Sequence, residues 1–326
     1  MRILTCRKNQ DWVSFDLVYE WEDILSKELN FPLLYENTKF TNKYVRQIPY
    51  IYLLHTLGGK TFSFEMGPEL RKKYRACRNI RNYFPCIIDY FLKDEDLGLF
   101  EKQYSRHKIV FVTSKEVYDR LHSLNCKLNI QHLPLSLSDK YKISKDTRYE
   151  KEFDLVLMGR QNPVLLGFLE QYIKKHPDFY YVYRVENERS FEKKFIYKTN
   201  RGEVIGDIVD REQYFDLMRK ARIGLYSTPG TDDTSGRTNG FSQVTPRLFE
   251  YLSCGCHVIA RYINNSDTQF YGLDKYWPSI TTYDDFERAM DLARSTEPDM
   301  RLYSDFLSKH YTSVRAKQLK ILLESI

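Results

Sequence analysis

Cysteine is scarce and unorganised in this chain of 326 residues: Cys6, Cys77, Cys86, Cys126, Cys254 and Cys256 form no CxxC pair and stand beside no histidine cluster. Free thiols are therefore expected rather than zinc or disulfides, with Cys254 and Cys256 read as small core residues. No apolar run approaches the roughly 20 residues of a membrane span, and the start MRILTCRKNQ has no signal-peptide pattern, so a cytoplasmic chain is expected. There is no GxSxG, HExxH or P-loop, and the first strand, Arg2 to Cys6, lacks the glycine-rich turn of a dinucleotide site.

What is present fits a soluble globular protein, with 42% hydrophobic and 29% charged residues. The length suits two domains of about 150 residues each. The formal net charge of +6 is concentrated in part at Arg71, Lys72, Lys73, Arg75, Arg78 and Arg81, interleaved with Tyr74 and Tyr83. Three readings fit that segment: a solvated helix face, a nucleic-acid surface, or a patch that meets an anionic membrane leaflet.

Along the chain, Val13, Leu17, Trp21, Leu25 and Leu29 recur every four residues and predict an amphipathic helix. Ile48 to Leu54 reads as a strand or buried helix, and His55 opens a turn toward Gly58-Gly59. From Pro85 the pattern is strand (Cys86 to Tyr90), helix (Leu97 to His107), strand (Ile109 to Thr113), helix (Lys115 to Leu124) and strand (Ile130 to Leu133). That alternation is half of a doubly wound sheet. Ser138 to Glu152 reads as an interdomain linker. A second domain opens with the strand Phe153 to Met158, ends it at Gly159-Arg160, and continues with a helix from Pro163 to Lys175 and a strand from Phe179 to Val185. Asn200-Arg201-Gly202 predicts the turn of an inserted β-hairpin, and Phe286 to Ala293 and Tyr303 to Ile326 read as helical.

The stretch IGLYSTPGTDDTSGRTNGFSQVTPRLFEYLSCGCHVIARY, Ile223 to Tyr262, is strand, polar loop, helix and strand within about 40 residues. Thr245 before Pro246 predicts a hydroxyl cap with proline in the first helical position. The amides of Arg247 and Leu248 at the helix start suit a phosphate, Arg247 adds a positive charge, and Glu250 stands where it could accept hydrogen bonds from a ribose diol. The local pattern equally fits Glu250 as a solvated helix residue.

RLFEYLSCGCHVIA resembles the signature helix of GT-B glycosyltransferases, in the form found in bacterial group 1, family-4-like enzymes: Glu250, Cys254-Gly255 and Val258-Ile259-Ala260 carry the likeness. The resemblance is atypical. Retaining family-4 enzymes place a second glutamate eight residues before the first, where this chain has Ser242; Asn239-Gly240-Phe241 resembles their Glu-Gly-Phe, three residues too early and with Asn for Glu. Gly159-Arg160 matches the place where many GT-B enzymes hold the donor diphosphate, but their companion lysine is absent and Asn162-Pro163 stands nearby. Exostosin-like families, which invert, also set an arginine before this helix and Gly-Cys after it.

The resemblance implies an α/β protein of GT-B class, with two Rossmann-like doubly wound domains and a cleft between them. Residues 1–140 would bind the acceptor, 150–302 the nucleotide-sugar, and 303–326 would cross back to the first domain. The implied reaction moves a sugar from a nucleotide-sugar donor to a saccharide or lipid-linked saccharide acceptor, in bacterial surface polysaccharide or glycoconjugate synthesis, on the inner face of the plasma membrane. No metal and no cofactor are expected. Gly159, Arg160, Thr245, Arg247 and Glu250 are the expected donor contacts, and Asp89 and His55 the candidate bases, although Asp89 also reads as a turn cap and His55 as a core residue. Three alternatives stand beside it. Asp94-Glu95-Asp96 could hold a metal-nucleotide, as GT-A enzymes do, and Asp232-Asp233 in the central loop reads as a cation site or as solvated acids; a nucleotide-sugar 2-epimerase shares the GT-B fold; and a noncatalytic protein could bind nucleic acid through the basic segment.

Overall fold

The computed structural model describes residues 1–7, 13–35, 60–68, 70, 82–185, 195–233 and 236–324. His55, the Ile48 to Leu54 segment and the basic run from Arg71 to Arg81 lie outside these residues. The chain divides into two compact units, one of Met1–Asp139, Arg237–Gln243 and Tyr311–Ile326, the other of Lys140–Gly236 and Val244–His310.

The first unit is built on six strands: β1 (Arg2–Thr5), β2 (Leu33–Tyr35), β3 (Thr61–Glu65), β4 (Tyr83–Ile87), β5 (Val110–Val112) and β6 (Ile130–His132). They lie in the order β2-β1-β3-β4-β5-β6, and every pairing is parallel. Parallel strands need covered faces. The Val13–Leu29 helix supplies Leu25, and the Thr312–Glu324 helix supplies Ala316, Leu319 and Leu323, to a core shared with Ile3, Phe62, Phe84 and Phe111. The returning tail thus enters this unit at Tyr311, while the Met300–Leu307 helix belongs to the other.

The fourth strand begins earlier than its sequence suggests and carries Pro85 inside it. Backbone direction explains the tolerance. Asn82 O accepts from Thr61 on the β3 side, whereas Tyr83 O accepts His107 Nδ1 at 2.8 Å on the other side, the side that Pro85 shares. Pairing with β5 starts only at Cys86, so the missing N–H falls before that ladder begins.

The second unit holds β7 (Phe153–Leu157), β8 (Tyr181–Val185), β9 (Phe195–Thr199), β10 (Val204–Ile208), β11 (Ala221–Ser227) and β12 (His257–Arg261), in the order β10-β9-β8-β7-β11-β12. Strands β7, β8, β11 and β12 are parallel, and the inserted hairpin β9-β10 adds two antiparallel strands at one edge. Asn162 caps the Pro163–Lys175 helix by accepting from the amides of Val164 and Leu165, with proline at the helix start. The stretch expected as a linker is packed instead: Tyr141 is buried and stacks on Phe215 with centroids 3.5 Å apart, and Lys151 Nζ donates to the carbonyls of Arg219, Ala221 and Cys254. Cys254 and Cys256 are buried, their thiols directed at backbone carbonyls.

One charge in the first unit carries a stability consequence. Glu22 is 2% exposed, and burial pushes its carboxyl up to about 7, against a hydrogen bond from Thr5 and the attraction of Arg7, 3.8 Å away. Its Oε2 has no hydrogen-bond partner among the described residues. A carboxyl raised in the folded state favours folding below its unfolded value, and that contribution is lost as pH rises through about 7. Glu22→Gln should therefore match the wild type near pH 4 and exceed it at pH 8 by on the order of 2–4 kcal/mol. Denaturant unfolding of both proteins across that range checks the sign.

Candidate functional site

The strand order of the second unit reverses between β7 and β11, so the loops at their carboxyl ends diverge and leave a crevice of the kind that binds ligands in open α/β sheets. After β7 the chain turns at Gly159, whose φ of +64° is left-handed, and exposes Arg160. After β11 a loop leads to the Arg247–Ser253 helix.

Arg247 bridges the two loops. Its Nη1 donates to Arg160 O at 3.2 Å, and its guanidinium fills the space a side chain would need at Gly159, where a Cβ would lie 2.3 Å from Nη2. The side chain is half-buried and its Nε is enclosed without a partner. Burial works against the charge, and Tyr214, Tyr251 and Glu250 around it hold the arginine protonated. Tyr197, from the inserted hairpin, is 1% exposed beside it, and its phenol receives a backbone hydrogen bond from Gly159. No carboxylate pairs with Arg247 among the described residues.

Glu250 is 4% exposed, which excludes the solvated-helix reading. Its Oε1 accepts Arg211 Nη2 at 2.9 Å, and both side chains are nearly enclosed, at 6% and 8% exposure. Arg211 lies in turn near the faces of Tyr141 and Phe215, 5.8 and 5.1 Å from the ring centroids. Sequence reading missed Arg211. It follows Asp210, the cap of the Arg211–Arg219 helix, and reads there as an ordinary first-turn residue; its partner is 39 positions away.

The helix start differs from the expected hydroxyl cap. Pro246 occupies the cap position in helical conformation with no side-chain cap, and the first helical residue is Arg247. Thr245 instead donates its N–H to Tyr226 Oη at 3.0 Å and offers its carbonyl to Leu248 N at 3.2 Å. The Leu248 amide is thereby occupied, and a helix of seven residues has little dipole to offer. Positive charge at this edge comes from side chains.

The acidic pairs are engaged elsewhere. Asp232, at φ +55°, takes Arg261 on both oxygens, at 2.6 and 2.9 Å, and Asn162 Nδ2 at 2.8 Å. Asp94 pairs with Arg120 and Glu95 with Lys93. Among the described residues no three His, Cys, Asp or Glu side chains gather as a metal site. Asn239 to Gln243 belong to the first unit. There Asn239 Nδ2 donates to Phe91 O and Gln243 Nε2 to Tyr90 O, both at 2.6 Å, Phe241 packs edge-on against Tyr90, and the buried Ser242 donates its N–H to Glu116. Ser242, which stands at the position of the retaining enzymes' second glutamate, is thus enclosed in that core. Asp89 is exposed two residues beyond β4, yet the protein packed around its carboxyl pushes it up to about 6.

Two glycines hold this edge open, and they predict different costs. Gly159→Ala should destabilise by about 1–2 kcal/mol for the left-handed backbone, while the flexible Arg247 swings aside. Gly224→Ala, whose Cβ would lie 2.5 Å from the rigid Tyr251 ring, should cost more, through overpacking of the core. Thermal melting of the two variants should rank them in that order.

Residues 170–320 match the glycosyl transferase-like family. No curated protein sequence matches the chain. Among solved structures, the pneumococcal O-GlcNAc transferase GtfA, in complex with UDP and GlcNAc, aligns at a TM-score of 0.50 and 11% identity over 85% of this chain; the match spans only 59% of GtfA. A Listeria monocytogenes protein assigned as a UDP-N-acetylglucosamine 2-epimerase aligns at 0.50 and 11% identity over 99% of this chain and 96% of its own. At such identities the likeness is one of fold. The chain has the GT-B fold, and residues 170–320, a little under half of it, are similar to the glycosyl transferase-like family.

Proposed function

We propose that the protein transfers a sugar from a nucleoside-diphosphate donor to a hydroxyl of a saccharide or lipid-linked saccharide, in the synthesis of a surface polysaccharide or glycoconjugate. The observation that carries this reading is Arg247: a partly buried guanidinium, with an enclosed and unpartnered Nε and no carboxylate in an ion pair with it among the described residues, at the switch between β7 and β11. An uncompensated buried cation is costly unless an anion completes it. Because the helix amides contribute little, the diphosphate is held by the guanidinium of Arg247, the exposed Arg160 and the turn at Gly159. Glu250 takes the ribose hydroxyls.

In the transfer, the acceptor hydroxyl attacks the anomeric carbon as its bond to the diphosphate oxygen breaks, and the hydroxyl proton passes to a base. Charge grows on the departing diphosphate, so a preorganised arginine acts more on the transition state than on the bound donor. Asp89 is the base in this proposal. A carboxyl near 6 is mostly ionised at neutral pH and still basic enough to take a proton in the transition state. The epimerase reading differs by needing no acceptor.

Arg247→Ala should lower the turnover rate by roughly two to three powers of ten, with a smaller loss of donor affinity. Release of nucleotide from a panel of nucleotide-sugars, with and without acceptors and with metals chelated, checks it. Acceptor-independent conversion of the sugar would turn the reading to epimerisation, and release that ignores Arg247 would remove it.

For Asp89 the sign is fixed by the base form. Activity should be present above about pH 6 and fall as pH drops through it, and Asp89→Asn should lower kcat/KM by roughly two to four powers of ten and remove that limb from the activity that remains.

A further inference from the structure

The Arg211–Glu250 pair is nearly enclosed, at 8% and 6% side-chain exposure, and Arg211 has no part in the proposed chemistry. Its geometry is asymmetric. Arg211 engages Oε1 alone, at 2.9 Å, although a guanidinium can grip both oxygens of a carboxylate, as Arg261 grips Asp232 in the same unit. Among the described residues the one hydrogen bond to the Glu250 carboxylate is this one, on Oε1. Arg211 is itself held from behind, only 7% of its surface remaining open, by the stacked rings of Tyr141 and Phe215. An arginine so packed cannot follow the carboxylate if it turns.

We infer that Arg211 is a positioning residue for ribose recognition: it clamps one oxygen of Glu250 so that the other is presented, in a fixed rotamer, to the vicinal hydroxyls of the nucleoside. The inference rests on the proposed contact of Glu250 with the ribose and adds the residue that orients Glu250 for it. A carboxylate held by one oxygen accepts hydrogen bonds from a diol without paying to order itself, and a buried acceptor left unmatched by a deoxy sugar is penalised. Discrimination between ribose and deoxyribose should therefore depend on a residue that touches neither.

The test is calorimetric titration of UDP and GDP and of their 2′-deoxy and 3′-deoxy forms against wild type, Arg211→Lys and Glu250→Gln, with melting temperatures recorded alongside. Wild type should prefer the ribose form by about tenfold to a hundredfold, the range for one hydrogen bond to a charged group. Lysine keeps the charge but not the planar fork, so Arg211→Lys should reduce the preference to about threefold or less, as should Glu250→Gln. A merely structural role would weaken both sugar forms equally and leave the ratio intact, which would overturn the inference while the nucleotide site stands. A wild type that binds without ribose preference would overturn it too. If Arg211→Lys fails to fold, the double variant Arg211→Met with Glu250→Gln, which removes both charges, replaces it, and a retained ribose preference there has the same meaning. Wild type that binds neither nucleotide would remove the proposed site, and the inference with it.

Discussion

Charge balance at the carboxyl edge of the second sheet governs this unit. Arg211, Glu250 and Arg247 stand within two adjoining elements; Arg211 pairs with the Glu250 carboxylate at 2.9 Å, while Arg247 lies in the field of Glu250 with no ion pair among the described residues. Their neighbours are aromatic: Tyr141 and Phe215 flank Arg211, and Tyr197, Tyr214 and Tyr251 surround Arg247. Rings supply contact area and a partial negative face without cancelling a full charge. The arrangement keeps a cation poorly hydrated and without an ion pair among the described residues, a condition that a bound anion relieves. The glycines at 159 and 224 follow from it, since one makes room for the guanidinium and the other for the ring of Tyr251.

Much of the architecture was legible because the α/β alternation leaves a strong periodic mark. The helix from Val13 to Leu29 and the helix Pro163–Lys175, with its Asn-Pro start, match their expected bounds. So does the inserted hairpin around Asn200-Arg201-Gly202. The β4 strand was misplaced because proline reads as a boundary, and nothing local reveals that its missing N–H precedes the neighbouring ladder. Similarly, Ser138 to Glu152 looks like a linker by polarity, yet Tyr141 and Lys151 tie it down through contacts with residues some 70 or more positions later.

The site was legible in its residue types and not in their partners. Arg247, Arg160 and Gly159 are brought together as the strand order implies. Local sequence could not say that Glu250 is enclosed, because its burial comes from Arg211 and the rings behind it. Nor could it say that Thr245 gives its amide to Tyr226 rather than its hydroxyl to the helix. Such pairings join separate elements and leave no periodic trace.

The division of the chain also bears on how the protein is made. The polypeptide passes from one unit to the other at 139/140, 236/237, 243/244 and 310/311. The first unit consequently lacks Phe241, which packs on Tyr90, until residues 237–243 are made, and the helix that brings Leu319 and Leu323 to its core until residues beyond His310 are made. Domains commonly fold in order as they leave the ribosome. Here the first unit still awaits Tyr311–Ile326 when the segments of the second are complete at His310, so in order of chain growth the second unit is the first to have all its segments.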